Sequence, residues 1–153
     1  MRLLQVAPLF VLPVVGCGKS EAIPINTVTG QVIYDGKPAV GVQVFFMPEN
    51  GMNPAGVPSN PHAVTDSDGN FSLSTMTDGD GAPAGDYRVV LLWPREKEAE
   101  EEEETPDRLF GWHDARHTKL TVQVKEGANA LPPFKLAKVT GPPPISEGVP
   151  GRN

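Results

Sequence analysis

The stretch VTGQVIYDGKPAVGVQVFFM, Val28 to Met47, reads as two β-strands joined by a turn-rich connector. Val28, Gly30, Val32 and Tyr34 fall on one face. Val40, Val42, Val44 and Phe46 repeat the pattern after Asp35-Gly36-Lys37-Pro38. Alternation is the signature of a strand. Asp-Gly followed by proline marks the turn between them.

Toward the C-terminus the same idiom recurs. His62 to Thr65 is a short strand, and Asp66-Ser67-Asp68-Gly69-Asn70 is the sharpest turn signal in the chain. Aspartate accepts bonds from backbone N–H groups two residues on, and glycine takes positive φ cheaply. Phe71, Leu73 and Thr75 then alternate with Ser72 and Ser74, which predicts a hairpin from His62 to Thr75. Tyr87, Val89, Leu91 and Trp93 line one face of the next strand, and Arg88, Val90 and Leu92 the other. Apolar groups on both faces predict an interior strand, or one edge of a second contact. Tyr87, if buried, needs a partner for its hydroxyl. Leu120, Val122 and Val124 alternate again, and Phe134 and Leu136 share a face in a last strand ending near Val139. Pro132 and Pro133 put the start of that strand at a sheet edge.

Between strands the chain reads as loop. Residues 49–61 hold no periodic pattern, and Met52 and Val57 read as incidental there. Asp78 to Asp86 is a second acidic loop. Pro94 ends a strand, and REKEAEEEEE, residues 95–104, is a solvated acidic insertion whose glutamates repel one another. Leu109, Phe110 and Trp112 are too apolar for a loose loop and are expected to plug one end of the core. The result is an all-β domain of seven short strands in two packed antiparallel sheets. Residues 140–153 have too few apolar groups to repay ordering and read as a disordered tail.

Composition narrows function. The chain has 153 residues, which favours one domain. Its 19 Asp and Glu outweigh 13 Lys and Arg, giving a net charge of -6 and no electrostatic reason to bind nucleic acid. One cysteine allows no internal disulfide. Met1 to Gly16 carries one positive charge and then an apolar run interrupted by Pro8 and Pro13. That is the shape of an export signal rather than a spanning helix.

The run ends Val14-Val15-Gly16-Cys17, which resembles a bacterial lipoprotein signal. The resemblance implies cleavage before Cys17, a lipid on its thiol and attachment of the mature chain to a membrane. Each buried methylene of such a lipid contributes about 0.8 kcal/mol. Gly18 stands where an inner-membrane retention signal has aspartate, so the outer membrane is favoured. Residues 17–26 then act as a tether and 27–139 as the domain.

The order of pieces in that domain is similar to carboxypeptidase regulatory-like domains, a transthyretin-like β-sandwich class with Greek-key character. The pieces are Val28-Thr29-Gly30-Gln31-Val32, Tyr34-Asp35-Gly36-Lys37-Pro38, Gly41-Val42-Gln43-Val44-Phe45-Phe46, Thr65-Asp66-Ser67-Asp68-Gly69-Asn70-Phe71, Gly81-Ala82-Pro83-Ala84-Gly85-Asp86-Tyr87-Arg88-Val89 and Leu120-Thr121-Val122-Gln123-Val124-Lys125-Glu126-Gly127. The combination resembles small exported lipoproteins of the planctomycete type. The resemblance implies a noncatalytic domain; with a signal, one anchor and no assembled active site in the sequence, the expectation is an envelope module with a structural or protein-interaction role and no cofactor.

Several residues raise sharper alternatives. Asp66, Asp68 and Asn70 place oxygens at alternate positions, as calcium loops do, but the full motif with its distal glutamate is absent. A simple turn is the expectation and Ca2+ the alternative. Asp78, Asp80 and Asp86 pose the same question. His113, Asp114 and His117 would bring metal ligands together on one helical turn, with His62 as a further ligand from another loop. Pro106 and Gly111 argue against that helix. A metal-dependent enzyme built on His113 and His117 is the most distant reading. Trp93 and Trp112 suggest a sugar-stacking platform, and more commonly core or rim. A calcium- or glycan-binding module is therefore the main alternative to an envelope interaction module.

Overall fold

A computed structural model describes residues 23–53, 57, 60–95 and 106–144. The leader 1–16, the lipidation candidate Cys17, residues 96–104 of the acidic insertion and residues 145–153 of the tail lie outside the described residues. Eleven strands follow in order: β1 (Ile25–Asn26), β2 (Val28–Tyr34), β3 (Lys37–Pro38), β4 (Gln43–Pro48), β5 (His62–Val64), β6 (Asn70–Ser72), β7 (Ala82–Pro83), β8 (Gly85–Leu92), β9 (Thr121–Val124), β10 (Asn129–Ala130) and β11 (Phe134–Leu136). The seven strands expected from alternation correspond to β2, β4, β5, β6, β8, β9 and β11. The other four are two-residue pairings, too short for a period to register.

β2 is the centre of the first sheet. Asp35 and Gly36, at φ 50° and 75°, turn it back on β3. That is the pair of positive φ values a tight hairpin uses. Ile33 then pairs with Pro38 and Tyr34 with Lys37. β6 continues the same side of β2, antiparallel, from Thr29↔Ser72 to Gln31↔Asn70. The opposite side holds β10 and β11, both parallel to β2. This corrects the wholly antiparallel expectation. One side of β2 is filled by β3 and β6, so the last segment meets the other, and the long excursion through the second sheet returns it in the same direction.

The second sheet runs β5-β4-β8-β9, antiparallel throughout. β8 lies inside it, as its two apolar faces predict. Tyr87 is buried and its hydroxyl donates to the Pro83 carbonyl at 2.9 Å. β1 and β7 form a small third sheet.

The two larger sheets share one core. Val28 and Val32 of β2, with Phe134 and Leu136 of β11, meet Val44 and Phe46 of β4 and Val89 and Leu91 of β8. Each such side chain contributes about 1.5–3 kcal/mol on burial. Phe71 stacks on Phe134 with centroids 6.0 Å apart. Gly30 makes room for that ring, because a Cβ there would come within 2.5 Å of Phe71.

The expected His62–Thr75 hairpin divides between sheets. Its turn forms, with Asp66 N donating to Asn70 O at 2.9 Å. Yet β5 pairs with β4 and β6 with β2, leaving only the His62↔Ser74 bridge between the two arms. Buried Thr65 pins this corner: its hydroxyl donates to Ala39 O at 2.6 Å and accepts from Val42 N at 2.9 Å. Those contacts also tie down the passage from β3 to β4. Val40 lies in that passage and is 50% exposed, so it leaves the inward face expected of it. Val57, read as incidental, is buried, whereas Met52 is exposed.

Both boundaries of the domain move outward. Asn26, assigned to the tether, is buried; its side-chain oxygen accepts from Gly127 N at 2.8 Å. The tail begins ordered, since Gly141 O accepts the Trp112 indole N–H at 2.7 Å. No helix among the described residues is long and apolar enough to cross a membrane.

Candidate functional site

The acidic loops resolve into turns whose carboxylates serve their own backbone. One Asp66 carboxylate oxygen accepts from the N–H groups of Asp68 and Asn70, both at 2.9 Å. Asp80 does more: it accepts from Thr75 N at 2.7 Å and from Met76 and Thr77 N at 2.9 Å. Burial works to raise the Asp80 carboxyl, but the N–H donors of Thr75, Thr77 and Met76 outweigh it and hold it below its ordinary value. Asp86 accepts from the Gln123 side chain at 3.1 Å. Asp68 contributes its backbone carbonyl, which accepts from Gln31 Nε2 at 2.9 Å. Asn70 donates its backbone N–H, and Asp78 makes no side-chain hydrogen bond among the described residues. Among the described residues no three His, Cys, Asp or Glu side chains gather into a set that could hold a metal ion.

Residues 107–118 form successive turns rather than a helix. Phe110 and Gly111, at φ 52° and 79°, are both left-handed and break helical continuation. The helical alignment of His113 and His117, against which Pro106 and Gly111 argue, therefore does not arise. His117 Nδ1 lies 2.9 Å from Asp114 Oδ1, which also accepts from Arg116 and His117 N. Burial favours the neutral Asp114 carboxyl, but those N–H groups and the imidazole bring it below its ordinary value. His62 stands elsewhere, stacked on Phe45 with centroids 6.4 Å apart.

His113 lies apart from both other histidines in its contacts. Its backbone oxygen accepts from Leu91 N at 2.9 Å, and its Nδ1 is buried with no partner among the described residues. Burial pushes the imidazole below its ordinary value, against a weaker opposing pull from Asp107. The unfolded chain then binds more protons, so His113 stabilises the fold above pH about 6.5 and that contribution is lost as pH falls through its lower folded value. Denaturation midpoints measured from pH 7 to 5 should fall in the natural chain and flatten in His113→Phe. Equal slopes would contradict this assignment.

The two tryptophans do not form a shared platform. Trp93 is buried, gives its indole N–H to Val40 O at 2.8 Å, packs edge-on to Tyr34 and carries the Arg108 guanidinium 3.9 Å from its ring. Trp112 is 37% exposed. Of the expected plug residues, Leu109 alone is fully buried. The organising residue of this region is Asp107, which sequence reading missed. It accepts from Trp93 N, Leu109 N and Gly111 N at 2.9, 3.0 and 2.9 Å. An aspartate after proline and before an apolar run was the available signal.

A cleft of about 540 Å³ lies beside Trp112. Trp112, His113 and Leu120 line one side, and the chain from Lys135 to Pro142 lines the other. It occupies the side of the molecule where β9 and β11 are the outer strands of their sheets.

No family profile matches this chain, and no curated protein matches it. Among solved structures it is similar to a 9R-lipoxygenase from Cyanothece, at 16% identity and a TM-score of 0.39, over 74% of this chain and 16% of that one. It is also similar to a DUF3823 family protein from Parabacteroides merdae, at 17% identity and a TM-score of 0.35, over 72% of this chain and 45% of that one. The chain thus spans less than half the length of either protein.

Proposed function

We propose that this protein is a noncatalytic, membrane-anchored domain of the cell envelope that acts as a structural or protein-interaction module. The observation that carries the reading is the engagement of its acidic side chains. Asp66, Asp80, Asp107 and Asp114 each hold the backbone N–H groups of their own loops. Carboxylates so engaged build rigid loops rather than a reaction centre. The body is all-β and fits a two-sheet sandwich; within that class a transthyretin-like arrangement is the finer reading, on the order of pieces in the sequence. Lipidation at Cys17 would supply the anchor, with the outer membrane as its address.

Crosslinking in whole envelopes followed by recovery of the chain tests this reading. A reproducible protein partner is expected, and Cys17→Ala should move the chain from the membrane fraction to the soluble fraction. An unchanged membrane fraction, or no partner after crosslinking, would count against the anchor or the interaction respectively.

A further inference from the structure

We propose that the open edge of β11 receives an extended acidic segment of another protein as an added strand, against Trp112 and beside Lys135 and Lys138. This rests on the interaction reading above and names the surface and the partner's chemistry.

The backbone supplies the first argument. Leu136 O accepts from Asp35 N at 3.0 Å, and Leu136 pairs with Tyr34. In a parallel ladder the N–H and C=O of one residue point to one neighbour, and those of the next point away. Lys135 therefore turns its N–H and C=O from β2 to the free edge. Ala137 continues that parity and makes no backbone hydrogen bond among the described residues. An unpaired edge is a template for a further strand, and main-chain bonds to it provide affinity.

The cleft's shape supplies the second. Its wall from Lys135 to Pro142 is one continuous run of chain. Within it Lys135 and Leu136 belong to β11, and Val139 N–H and C=O are both engaged by Tyr34 Oη, at 3.0 and 3.3 Å. A wall made of consecutive residues suits an extended peptide better than a compact small molecule. Trp112 offers a ring for alternate apolar side chains, and its N–H is already engaged with Gly141 O. Pro142, Pro143 and Pro144 lack N–H donors and limit the pairing length.

Charge selects the occupant. Between residues 106 and 144, Arg108, Arg116, Lys119, Lys125, Lys135 and Lys138 stand against only Asp107, Asp114 and Glu126. The whole chain is nonetheless acidic, at -6. Lys135 and Lys138 line the cleft, and neither makes an ion pair among the described residues. Lysines on an edge discourage neutral and basic strands from pairing, while an acidic strand gains from them.

The test is calorimetric titration of the full chain in detergent with a blocked octapeptide of alternating Glu and Val. The matching Lys-Val peptide serves as comparison. The acidic peptide is expected to bind at least about tenfold more tightly and to perturb Trp112 fluorescence. Lys135→Pro removes the outward N–H without touching the ladder to β2, and should weaken binding about tenfold. Should that variant misfold by near-ultraviolet circular dichroism, the double change Lys135→Glu with Lys138→Glu replaces it, with a similar loss expected. Equal binding of the two peptides, or unchanged affinity in a folded variant, overturns the proposal. A dimer that dissociates on Lys135→Pro would also overturn it, by making a second copy the occupant. If crosslinked partners persist in the variant, the edge is wrong but the interaction reading stands.

Discussion

Gly81→Ala should destabilise the domain by about 4 kcal/mol or more, the range reached only by severe steric or burial defects. Gly81 sits at φ 106°, where side chains are strained. A Cβ there would lie 1.8 Å from Asn26 O, 2.5 Å from Asn26 C and 2.8 Å from Thr27 Cα. All three are backbone atoms, so no rotamer change relieves the overlap. Relief requires β1 to leave β7, which breaks Ile25↔Pro83 and Asn26↔Ala82. Gly81 is also held in place, its N–H donating to Leu73 O at 2.8 Å and its C=O accepting from Thr75 Oγ1 at 2.5 Å. Buried Asn26 would lose its hold on Gly127 N, so damage reaches the passage from β9 to β10. Thermal melts should show a Tm lower by more than about 15 °C. Gly79→Ala is the control: its φ is 69°, but the nearest atom to a new Cβ is Ser72 Oγ at 3.5 Å. It should cost about 1 kcal/mol, the strain of a left-handed alanine alone. Equal losses in the two variants would show that backbone strain, not contact with Asn26, governs this position.

That closeness of Gly81 to Asn26 marks where sequence reading reaches its limit. Strands declare themselves through alternation, and Val28, Val32, Val44, Phe46, Phe71, Leu73, Val89 and Leu91 are buried where alternation put them. Tyr87 likewise finds the hydroxyl partner its burial demands. Alternation reports which face turns inward; it does not report which strand lies alongside. The Asp66–Asn70 turn has the same local bonds whether its arms pair or part, so the division of β5 and β6 between sheets was invisible. Parallel pairing of β11 with β2 depends on which side of β2 remained free, a property of the whole topology. The candidate ligands meet a related limit. Spacing identifies oxygens and nitrogens that can converge, but Asp80 and Asp114 turn toward nearby backbone N–H groups, and Phe110 and Gly111 prevent the helix that would align His113 with His117. Asp107 escaped notice because its partners Trp93 and Gly111 lie on either side of an acidic run that separates them in sequence.

Asp107→Ala is the second substitution expected to act strongly, at about 3 kcal/mol. Removing the carboxylate leaves the N–H groups of Trp93, Leu109 and Gly111 without their acceptor, and each unsatisfied buried donor costs about 1–3 kcal/mol, reduced where water can reach it. The bridge Pro94↔Asp107 remains supported by Arg108 N donating to Trp93 O at 2.8 Å, so the two ends of the acidic insertion should stay together at first. The loss should fall on the turns that follow. Fully buried Leu109 enters the core from there, and Trp112 and His113 form one lip of the cleft. Denaturant titration should report the lower stability, and limited proteolysis should cut residues 108–118 faster than in the natural chain. Asp107→Asn keeps one carbonyl oxygen and should lose about half as much. The acidic peptide must also bind more weakly to Asp107→Ala, because the Trp112 wall is displaced, whereas Lys135→Pro should weaken binding with little change in proteolysis. A variant that loses stability yet binds the peptide as well as the natural chain would separate Asp107 from the cleft and confine its role to the fold.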